Sequence, residues 1–485
     1  MPLQKPEGCY RKGYDIANPL GIHSSCSSCI LTNLYLTIHL SESECMPMDD
    51  RLFGIEDIVL KQLVGKFVSI TEDNKRREMI FSAAKAVNKD LKPEEVESII
   101  ADINDIGPIA PFINSDETED IMVNNTMDVF VFDTKLGNKK LDARYDNLEK
   151  LQRLVAKLKL FTTNQVAGGN IMDVHLPNGS RCNIVYSPLG SDITIRNFKK
   201  KPLSIIDMIN NRTLDYKIAA RLWLYTDGFK VRPANIIIGG VPASGKTTLL
   251  NSMFSFFRPE QRIVTIEETY ELDTSTQENT ARLETSTELT MIDLVKNALR
   301  MRPDLLIIGE VRGSEANDMI SSMNIGKIGM TTIHGSTTRE VITRLEHSPM
   351  NVQRDLIPAI DALIIVTPVR EADGMHRRIT QMSEISGIET QILLSDIYKF
   401  DYRTRQAAPI MPSITYRDIL SKLLGLAPTD ILAEEVVRAR ILEALNKLGL
   451  RDMRSVSQAV KEYYDNPEAL LKKIGLPQLA PAIKV

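Results

Sequence analysis

The sequence lacks the features that mark secreted, membrane-spanning or nucleic-acid-binding chains. Its most apolar stretch, residues 362–369, has the length of a strand and is far shorter than the ~20 residues that cross a bilayer. The first 20 residues contain no unbroken apolar segment of the kind found in signal peptides. The formal net charge of −4 gives no overall positive field for nucleic acid. We therefore expect a cytoplasmic protein that works at the inner face of the cell membrane through a partner.

Cysteine is also scarce, and four of the five cysteines lie within the first 45 residues. Because disulfides are rare inside cells, a C-x2-C pair with two further thiols is better suited to tetrahedral Zn²⁺. An iron–sulfur cluster, or thiols without any ligand, would fit the same spacing. His23 or His39 could replace one of the cysteines. The candidate zinc ligands are Cys9, Cys26, Cys29 and Cys45.

The patterns of apolar residues indicate an α/β protein with several domains. From residue 235 onward, short apolar strands alternate with helices, which predicts a mainly parallel sheet covered on both faces. Upstream, alternating residues indicate strands, with a turn at Gly137 and Asn138 and a hairpin tip at Asn178 and Gly179. The predicted segments are a cysteine-rich segment (1–50), a helical region (51–105), a small α/β N-terminal domain (106–200), a linker (201–212), a large α/β domain (213–400) and a mostly helical C-terminal region (401–485).

The strongest single motif is G-x-x-x-x-G-K-T at residues 240–247, which read GVPASGKT. A strand-like segment precedes it and helix-forming residues follow, which is the context of a phosphate-binding P-loop. In such a loop backbone N–H groups cradle phosphates, Lys246 contacts the terminal phosphates and the Thr247 hydroxyl ligates Mg²⁺. The predicted nucleotide-binding residues are Gly240, Ala243, Ser244, Gly245, Lys246, Thr247 and Thr248.

Polar residues at the ends of three further strands suit hydrolysis of a bound nucleotide. Glu310 ends the strand-like segment 305–310, where a carboxylate can hold Mg²⁺. Glu267 ends a second strand, and we favour it as the carboxylate that activates water, the alternative being a salt bridge to a neighbour. His334 follows a third strand, at the edge where open α/β sheets bind ligands. It is a candidate γ-phosphate sensor, and a purely structural role is the alternative.

These motifs, in this order, resemble the secretion ATPase superfamily, which powers type II secretion, type IV pili, conjugation and the archaellum. The matching segments are the Walker A box (240–247), the Asp box (266–269), the Walker B box (305–310) and the His box (323–335). Segments 107–125, 176–182 and 193–198 resemble the N-terminal domain of that family. Residues 339–349 are most similar to the archaellum motor ATPase and to archaeal type IV pilus ATPases.

The resemblance implies a fold, an assembly and two further site residues. The fold would be a RecA-like P-loop NTPase domain with a mainly parallel sheet, preceded by a small α/β N-terminal domain and a helical N-terminal region. The assembly would be a homohexameric ring in which each N-terminal domain sits over a neighbour's nucleotide and moves about the linker. Arg181 and Arg196 match positions that reach the phosphates, although surface charges on a hairpin are the alternative. The implied catalytic set is Glu267, Glu310, Lys246, His334, Arg181 and Arg196.

The sequence therefore predicts an ATP hydrolase with ATP and Mg²⁺ at its site and Zn²⁺ as a candidate additional ion. As a motor it would power assembly or rotation of an archaellum or type IV pilus-like filament through a polytopic membrane platform protein. The alternative is a type II/IV secretion or conjugation ATPase that drives protein or DNA translocation. A subunit that binds ATP only to assemble the ring is a third hypothesis, which the intact acids oppose. Direct contact with nucleic acid is not expected, because no strip of basic and aromatic residues is present.

Overall fold

The computed structural model of the chain describes residues 50–68, 70, 72–113, 115, 117–133, 137–162, 170–187, 190–197, 202–286 and 288–481. The chain forms two units, 1–49 and 50–485, and the described residues all belong to the second. The predicted zinc ligands Cys9, Cys26, Cys29 and Cys45 lie outside the described residues, so the zinc site stays a prediction. In the part of the chain that is described, no helix has the length and apolar character needed to cross a membrane.

The described part begins with three helices that pack on one another through apolar faces. They are α1 (Asp50–Leu63), α2 (Asp73–Val87) and α3 (Pro93–Asn104). Helix α3 starts at Pro93 because proline fits the first helical turn, and Glu94 and Glu95 lie where the helix dipole favours negative charge. The Glu95 carboxylate also accepts a hydrogen bond from the Lys92 backbone N–H at 2.6 Å.

A six-stranded antiparallel sheet follows, and one helix covers its apolar face. The elements are α4 (Ala110–Ile113), β1 (Thr118–Val123), β2 (Val129–Asp133), β3 (Gly137–Lys140), α5 (Leu148–Leu158), β4 (Ile171–His175), β5 (Arg181–Ser187) and β6 (Gly190–Arg196). The strand order is β3-β2-β1-β6-β5-β4. Leu151, Leu154 and Leu158 of α5 share a buried core with Ile121 and Ile184 of the sheet.

The turn predicted at Gly137 and Asn138 is wrong. Both residues open β3, where Gly137 pairs with Asp133 and Asn138 with Phe132. Gly137 and Asn138 are therefore part of the ladder and do not form the turn. The predicted tip of the β4–β5 hairpin is confirmed, and Gly179 adopts the positive φ of +88° that such a tip favours.

A nine-stranded sheet is the centre of the remaining chain. Its strands and the helices around it are α6 (Ile205–Asn210), α7 (Tyr216–Asp227), β7 (Ile236–Gly240), α8 (Lys246–Ser252), β8 (Ile263–Glu267), β9 (Thr280–Glu284), α9 (Met291–Ala298), β10 (Leu305–Ile308), α10 (Glu315–Asn324), β11 (Ile328–His334), α11 (Thr338–Glu346), β12 (Ala362–Glu371), β13 (Gly374–Ile388), β14 (Ile392–Asp401) and β15 (Gln406–Pro409). The strand order is β15-β14-β13-β12-β7-β11-β10-β8-β9. The strands from β12 to β9 in this order are parallel, and a buried core lies on each face. The predicted mainly parallel sheet is thus confirmed.

Three antiparallel strands, β13 to β15, continue the large sheet beyond β12 and were not predicted. Residue 400, where the sequence placed the end of the large domain, falls within β14, because this strand extends the ladder of β13. The predicted linker, 201–212, contains α6. Ile205 and Ile206 of this helix are fully buried in the core of the large sheet.

Four C-terminal helices dock on the large sheet around a buried charged network. They are α12 (Thr415–Leu424), α13 (Pro428–Lys447), α14 (Met453–Asp465) and α15 (Pro467–Lys473). The buried Arg438 donates from Nη1 to Asp227 Oδ1 at 2.8 Å and from Nε to Glu434 Oε1 at 3.0 Å. The indole N–H of Trp223 donates to the Tyr464 hydroxyl at 2.8 Å. Because a buried guanidinium without partners is strongly destabilising, this network restricts how the helices can dock.

A second buried charged cluster joins α1 to α3 and α5. The fully buried Glu56 contacts Arg153, and Asp102 Oδ2 lies 3.2 Å from Arg153 Nη2 and 3.1 Å from Lys157 Nζ. Burial, together with the neighbouring Asp102 carboxyl, raises the pKa of Glu56 to about 7, and Arg153 opposes this shift. Below that pH, Glu56 holds a proton that it can donate to Asp102.

We predict that Glu56→Gln strengthens the attachment of α1 above pH 7. Because the pKa of Glu56 in the folded state lies above its ordinary value of 4.5, the wild type loses stability as the pH rises from 4.5 to about 7. Glutamine keeps a donor for Asp102 and an acceptor for Arg153 but does not titrate. Amide exchange in the full chain should show α1 more protected at pH 8, by on the order of 1–3 kcal/mol, and unchanged at pH 4.

The matched control is Asp57→Asn, on an exposed position of the same helix, where only an exposed ion pair with Lys61 is lost. It should change protection by no more than about 0.5 kcal/mol at either pH. Equal protection of α1 in wild type and Glu56→Gln at pH 8 would contradict the raised pKa.

Candidate nucleotide-binding site

Four parallel strands of the large sheet end at one edge, and each ends at or near a polar residue. His334, at the end of β11, pairs in register with Gly240, at the end of β7. Glu267 is the last residue of β8, and Glu310 follows closely after β10. The sheet thus brings together residues that are separated by up to 94 positions in the sequence, at the edge where open α/β sheets bind ligands.

The loop between β7 and α8 has the backbone of a phosphate cradle. Ala243 and Gly245 have positive φ angles of +56° and +93°, a conformation that lets successive N–H groups point to one side. Gly240 has no room for a side chain, since an added Cβ would lie 2.5 Å from the Val366 carbonyl oxygen. Ser244 Oγ is buried and has no hydrogen-bond partner among the described residues. A phosphate oxygen would satisfy this hydroxyl.

Thr247 and Thr248, the remaining predicted contacts of the nucleotide, lie in the first turn of α8. Both are half-buried. The predicted nucleotide-binding residues thus follow one another along the chain from the end of β7 into α8.

Lys246 is connected to Glu310 through His334. Lys246 Nζ donates to the carbonyl oxygens of Gly240 and Val241, at 3.2 Å each, and lies 3.4 Å from His334 Nδ1. His334 Nε2 lies 2.9 Å from Glu310 Oε1. Burial lowers the pKa of His334, and the Lys246 charge lowers it further. Glu310 Oε1 makes no hydrogen bond within the described residues, so its contact with His334 is a close approach without hydrogen-bond geometry. A neutral imidazole with its proton on Nε2 leaves Nδ1 able to accept from the lysine.

Arg312 was not predicted as a site residue, yet it binds two of the acids at this edge. Its Nη1 donates to both carboxylate oxygens of Glu268, at 3.0 and 2.9 Å, and its Nη2 donates to Glu310 Oε2 at 2.6 Å. The signal that could have found Arg312 is its position two residues after Glu310, at the same sheet edge.

The carboxylate of Glu267 is held in place by the loop that follows β8. Its Oε1 accepts hydrogen bonds from the backbone N–H groups of Glu271 and Leu272 at 2.8 and 2.9 Å, so it holds the loop after β8. Its Oε2 is buried without a hydrogen bond in the described part of the chain, and Arg282 Nη2 lies 3.6 Å away. Burial raises the pKa of Glu267. One oxygen is thus structural, and the other one is free to act as an acceptor.

Arg181 and Arg196 lie opposite each other in the β5–β6 ladder but have different surroundings. Arg196 is exposed and lies 3.7 Å from Asp120 of its own sheet. Arg181 is half-buried, burial lowers its pKa, and carboxylates of the large domain oppose that shift. These carboxylates are Glu271, Glu268 and Glu284.

Within one chain, Arg181 faces acids of the large domain. The small sheet also contacts the large domain of the same chain through an ion pair between Glu119 and Arg377. The placement of each N-terminal domain over a neighbour's nucleotide stays a prediction.

Comparison with known proteins gives a family and several relatives. The family model described as type II/IV secretion system protein matches residues 102–391. An uncharacterized protein of Methanocaldococcus jannaschii is 38% identical over 241 residues, which are 47% of this chain and 33% of that protein. The conjugal transfer protein TrbB of Rhizobium radiobacter is 30% identical over 204 residues, which are 41% of this chain and 61% of TrbB. The chain thus spans between a third and about three fifths of the length of these two relatives.

Comparison with solved structures finds the X-ray structure of the Legionella pneumophila ATPase DotB. The two sequences are 19% identical, and the match covers 76% of this chain and 96% of that one, with a TM-score of 0.44.

We predict that Gly240→Ala disrupts the loop. The new methyl group would lie 2.3 Å from Ser244 Oγ and 2.5 Å from the Val366 carbonyl oxygen, and the latter belongs to the backbone of β12 and cannot rotate away. Overpacking of this kind costs about 1–3 kcal/mol, so the thermal unfolding midpoint should fall and nucleotide affinity should drop at least about tenfold.

Gly54→Ala is the control, because nothing lies within 4 Å of the added Cβ on helix α1. It should leave nucleotide affinity unchanged. Wild-type affinity in Gly240→Ala would show that the loop adopts another conformation.

Proposed function

This chain belongs to the type II/IV secretion system protein family, and on that premise we propose that it hydrolyses ATP with Mg²⁺ to drive a secretion or filament machine. The observation that carries the proposal is the series of contacts from Lys246 through His334 to Glu310. These contacts join the phosphate-binding loop to the acid proposed to hold the metal ion, across the intervening strand β11. A ligand that moves Lys246 would therefore also move Glu310.

The side chains at this edge fit ATP and Mg²⁺. Lys246 and the loop N–H groups would bind the terminal phosphates, and Thr247 and Glu310 would hold Mg²⁺. The bound ion would neutralise charge that develops on the phosphates. Ser244 Oγ and Glu267 Oε2 are buried oxygens without hydrogen bonds in the described chain. The Ser244 hydroxyl would donate to a phosphate oxygen, and a water beside the phosphate would donate to Glu267 Oε2.

Hydrolysis requires a group that orients water and accepts its proton. We assign this role to Glu267, because its backbone contacts fix the carboxylate and its raised pKa makes it a stronger base than an exposed glutamate. His334 would detect the terminal phosphate through Lys246. Arg181 would move from the surrounding carboxylates to the phosphates, and Arg196 would have to leave Asp120 to do the same.

We favour a filament motor as the machine that is driven. In this hypothesis a homohexamer acts on a polytopic membrane platform protein of an archaellum or type IV pilus-like filament, supported by the sequence similarity of residues 339–349. The second candidate is a conjugation or type IV secretion ATPase, which the identity to a conjugal transfer protein favours. Proteins that co-purify with the tagged chain from native membranes would discriminate the two, since pilin-type subunits and DNA-transfer components are different partners.

We predict that Lys246→Ala abolishes turnover. The substitution removes the cation from the phosphate site, so kcat for ATP should fall by about two to three orders of magnitude in a phosphate-release assay. Lys296→Ala, an exposed lysine of α9 in the same domain, is the control and should retain wild-type turnover. Equal background rates in wild type and Lys246→Ala would refute the hydrolase proposal.

We also predict that Glu267→Gln binds ATP but hydrolyses it poorly. Glutamine still accepts the two backbone hydrogen bonds, so the loop should keep its shape, but the base is lost and kcat should fall about 100-fold or more. Affinity for a fluorescent ATP analogue should stay within about threefold. Glu260→Gln, at an exposed turn before β8, is the control for the same change of charge. Wild-type turnover in Glu267→Gln would show that Glu267 is not the base.

A further inference from the structure

Arg377 of β13 contacts both the P-loop and the small N-terminal sheet, and the mechanism proposed above does not use it. Its Nε donates to the Ala243 carbonyl oxygen at 3.1 Å, and its Nη2 lies 3.6 Å from Glu119 Oε2. Its stem passes beside Gly245, where an added Cβ would lie 3.3 Å from Arg377 Cδ. One side chain therefore spans from the phosphate-binding loop to strand β1 of the other sheet.

The P-loop end of this contact lies on strained backbone. Ala243 has a φ of +56°, a left-handed conformation that is unfavourable for a residue other than glycine. Such a residue keeps its conformation only where its surroundings fix it. Because Arg377 fixes the direction of the Ala243 carbonyl, the conformation of the loop and the position of the guanidinium depend on each other.

The backbone of Arg377 is anchored to the strand that leads into the loop. Strand β12 pairs with β7 and places Val366 opposite Gly240, and β13 pairs with β12 so that Arg377 is opposite Pro368. The base of the side chain is thus fixed relative to the P-loop. Only the guanidinium, at the far end, can respond to a change in either partner.

The other end of the contact lies at an irregularity of the small sheet. The β1–β2 ladder shifts register between Thr118 and Asp120, so Glu119 is the extra residue of a bulge. Bulges re-aim side chains and are frequent beside functional sites. Glu119 Oε2 is buried without a hydrogen bond, and Arg377 is its ion-pair partner in the described part of the chain. The next residue, Asp120, instead faces Arg196 of its own sheet.

From these contacts we propose that Arg377 is a positioning residue that couples the conformation of the P-loop to the position of the N-terminal sheet through Glu119. The inference rests on the proposed function, since the P-loop must bind ATP, and it adds the regulation of that site. A phosphate group in the loop attracts the guanidinium and weakens its hold on Glu119. Movement of the N-terminal sheet in turn changes the support of Ala243. Nucleotide binding and sheet position then affect each other by the same free energy.

Hydrogen exchange with and without adenylyl imidodiphosphate, a non-hydrolysable ATP analogue, tests the coupling. In the wild type the analogue should change exchange at the P-loop and also at β1. Glu119→Gln removes the ion pair but leaves the bond from Arg377 to Ala243, so the P-loop response should persist while the β1 response is lost. Asp192→Asn removes a charge from an exposed position in β6 of the same sheet and should behave as the wild type. A β1 response of wild-type size in Glu119→Gln overturns the proposal.

Substitutions of Arg377 separate its two contacts. Arg377→Ala should raise KM for ATP about five- to tenfold, because Ala243 loses its partner, and should also lose the β1 response. Arg377→Lys keeps a cation near Glu119 but lacks the Nε–H group, so it should recover the β1 response while KM stays raised. A raised KM with an intact β1 response in Arg377→Ala would show that Arg377 supports only the loop, and the coupling would be wrong.

The outcomes for the coupling and for the proposed function can be told apart. If the wild type binds the analogue and shows the β1 response but does not hydrolyse ATP, the hydrolase proposal fails and the coupling stands. The opposite result has two parts: the wild type hydrolyses ATP, and Glu119→Gln keeps both its kcat and its β1 response. In that case the coupling fails and the hydrolase proposal stands.

Discussion

The site depends on one constraint: the buried ammonium group of Lys246 needs hydrogen-bond acceptors or negative charges beside it. Two loop carbonyls and His334 provide them, and His334 passes the interaction on to Glu310. Arg312 then holds Glu310 and reaches Glu268. Charged and polar groups therefore follow one another across the ends of four strands. If any of these strands shifted its register by one residue, at least one of these groups would lose its polar contact.

The apolar interior does not by itself fix that register, because strands buried on both faces carry no alternating pattern to oppose a slip. Polar contacts at the opposite edge of the sheet fix the register of the strands. Asn235 Oδ1 accepts from the Gly329 N–H at 2.9 Å, its own N–H donates to Asp361 Oδ2 at 2.8 Å, and its Nδ2 donates to the Ala359 carbonyl at 2.7 Å. These bonds connect the starts of β7, β11 and β12 and so fix the register of the three strands. The residues at the other ends of the strands are then aligned with one another.

This division explains what the sequence could predict. The P-loop, the strand ends that carry Glu267 and Glu310, and the β4–β5 hairpin each lie within one short segment, where periodicity and turn residues identify them. Contacts between distant segments leave no such pattern: Arg312 and Glu268 are 44 residues apart, and Arg377 and Ala243 are 134 apart. The antiparallel strands β13 to β15 were missed for a related reason, since their pairing with β12 is known only once the sheet has formed.

Arg181 shows how these charges bear on domain position. Its neighbours Glu268, Glu271 and Glu284 attract it, so these acids draw the N-terminal sheet towards the large domain. Glu268 is shared, because Arg312 binds it as well. Negative phosphates would compete with these acids for Arg181, while a cation at Glu310 would compete with Arg312. Both arginines would then redistribute together, so the position of the N-terminal sheet follows from the balance of charge at one edge of the large sheet.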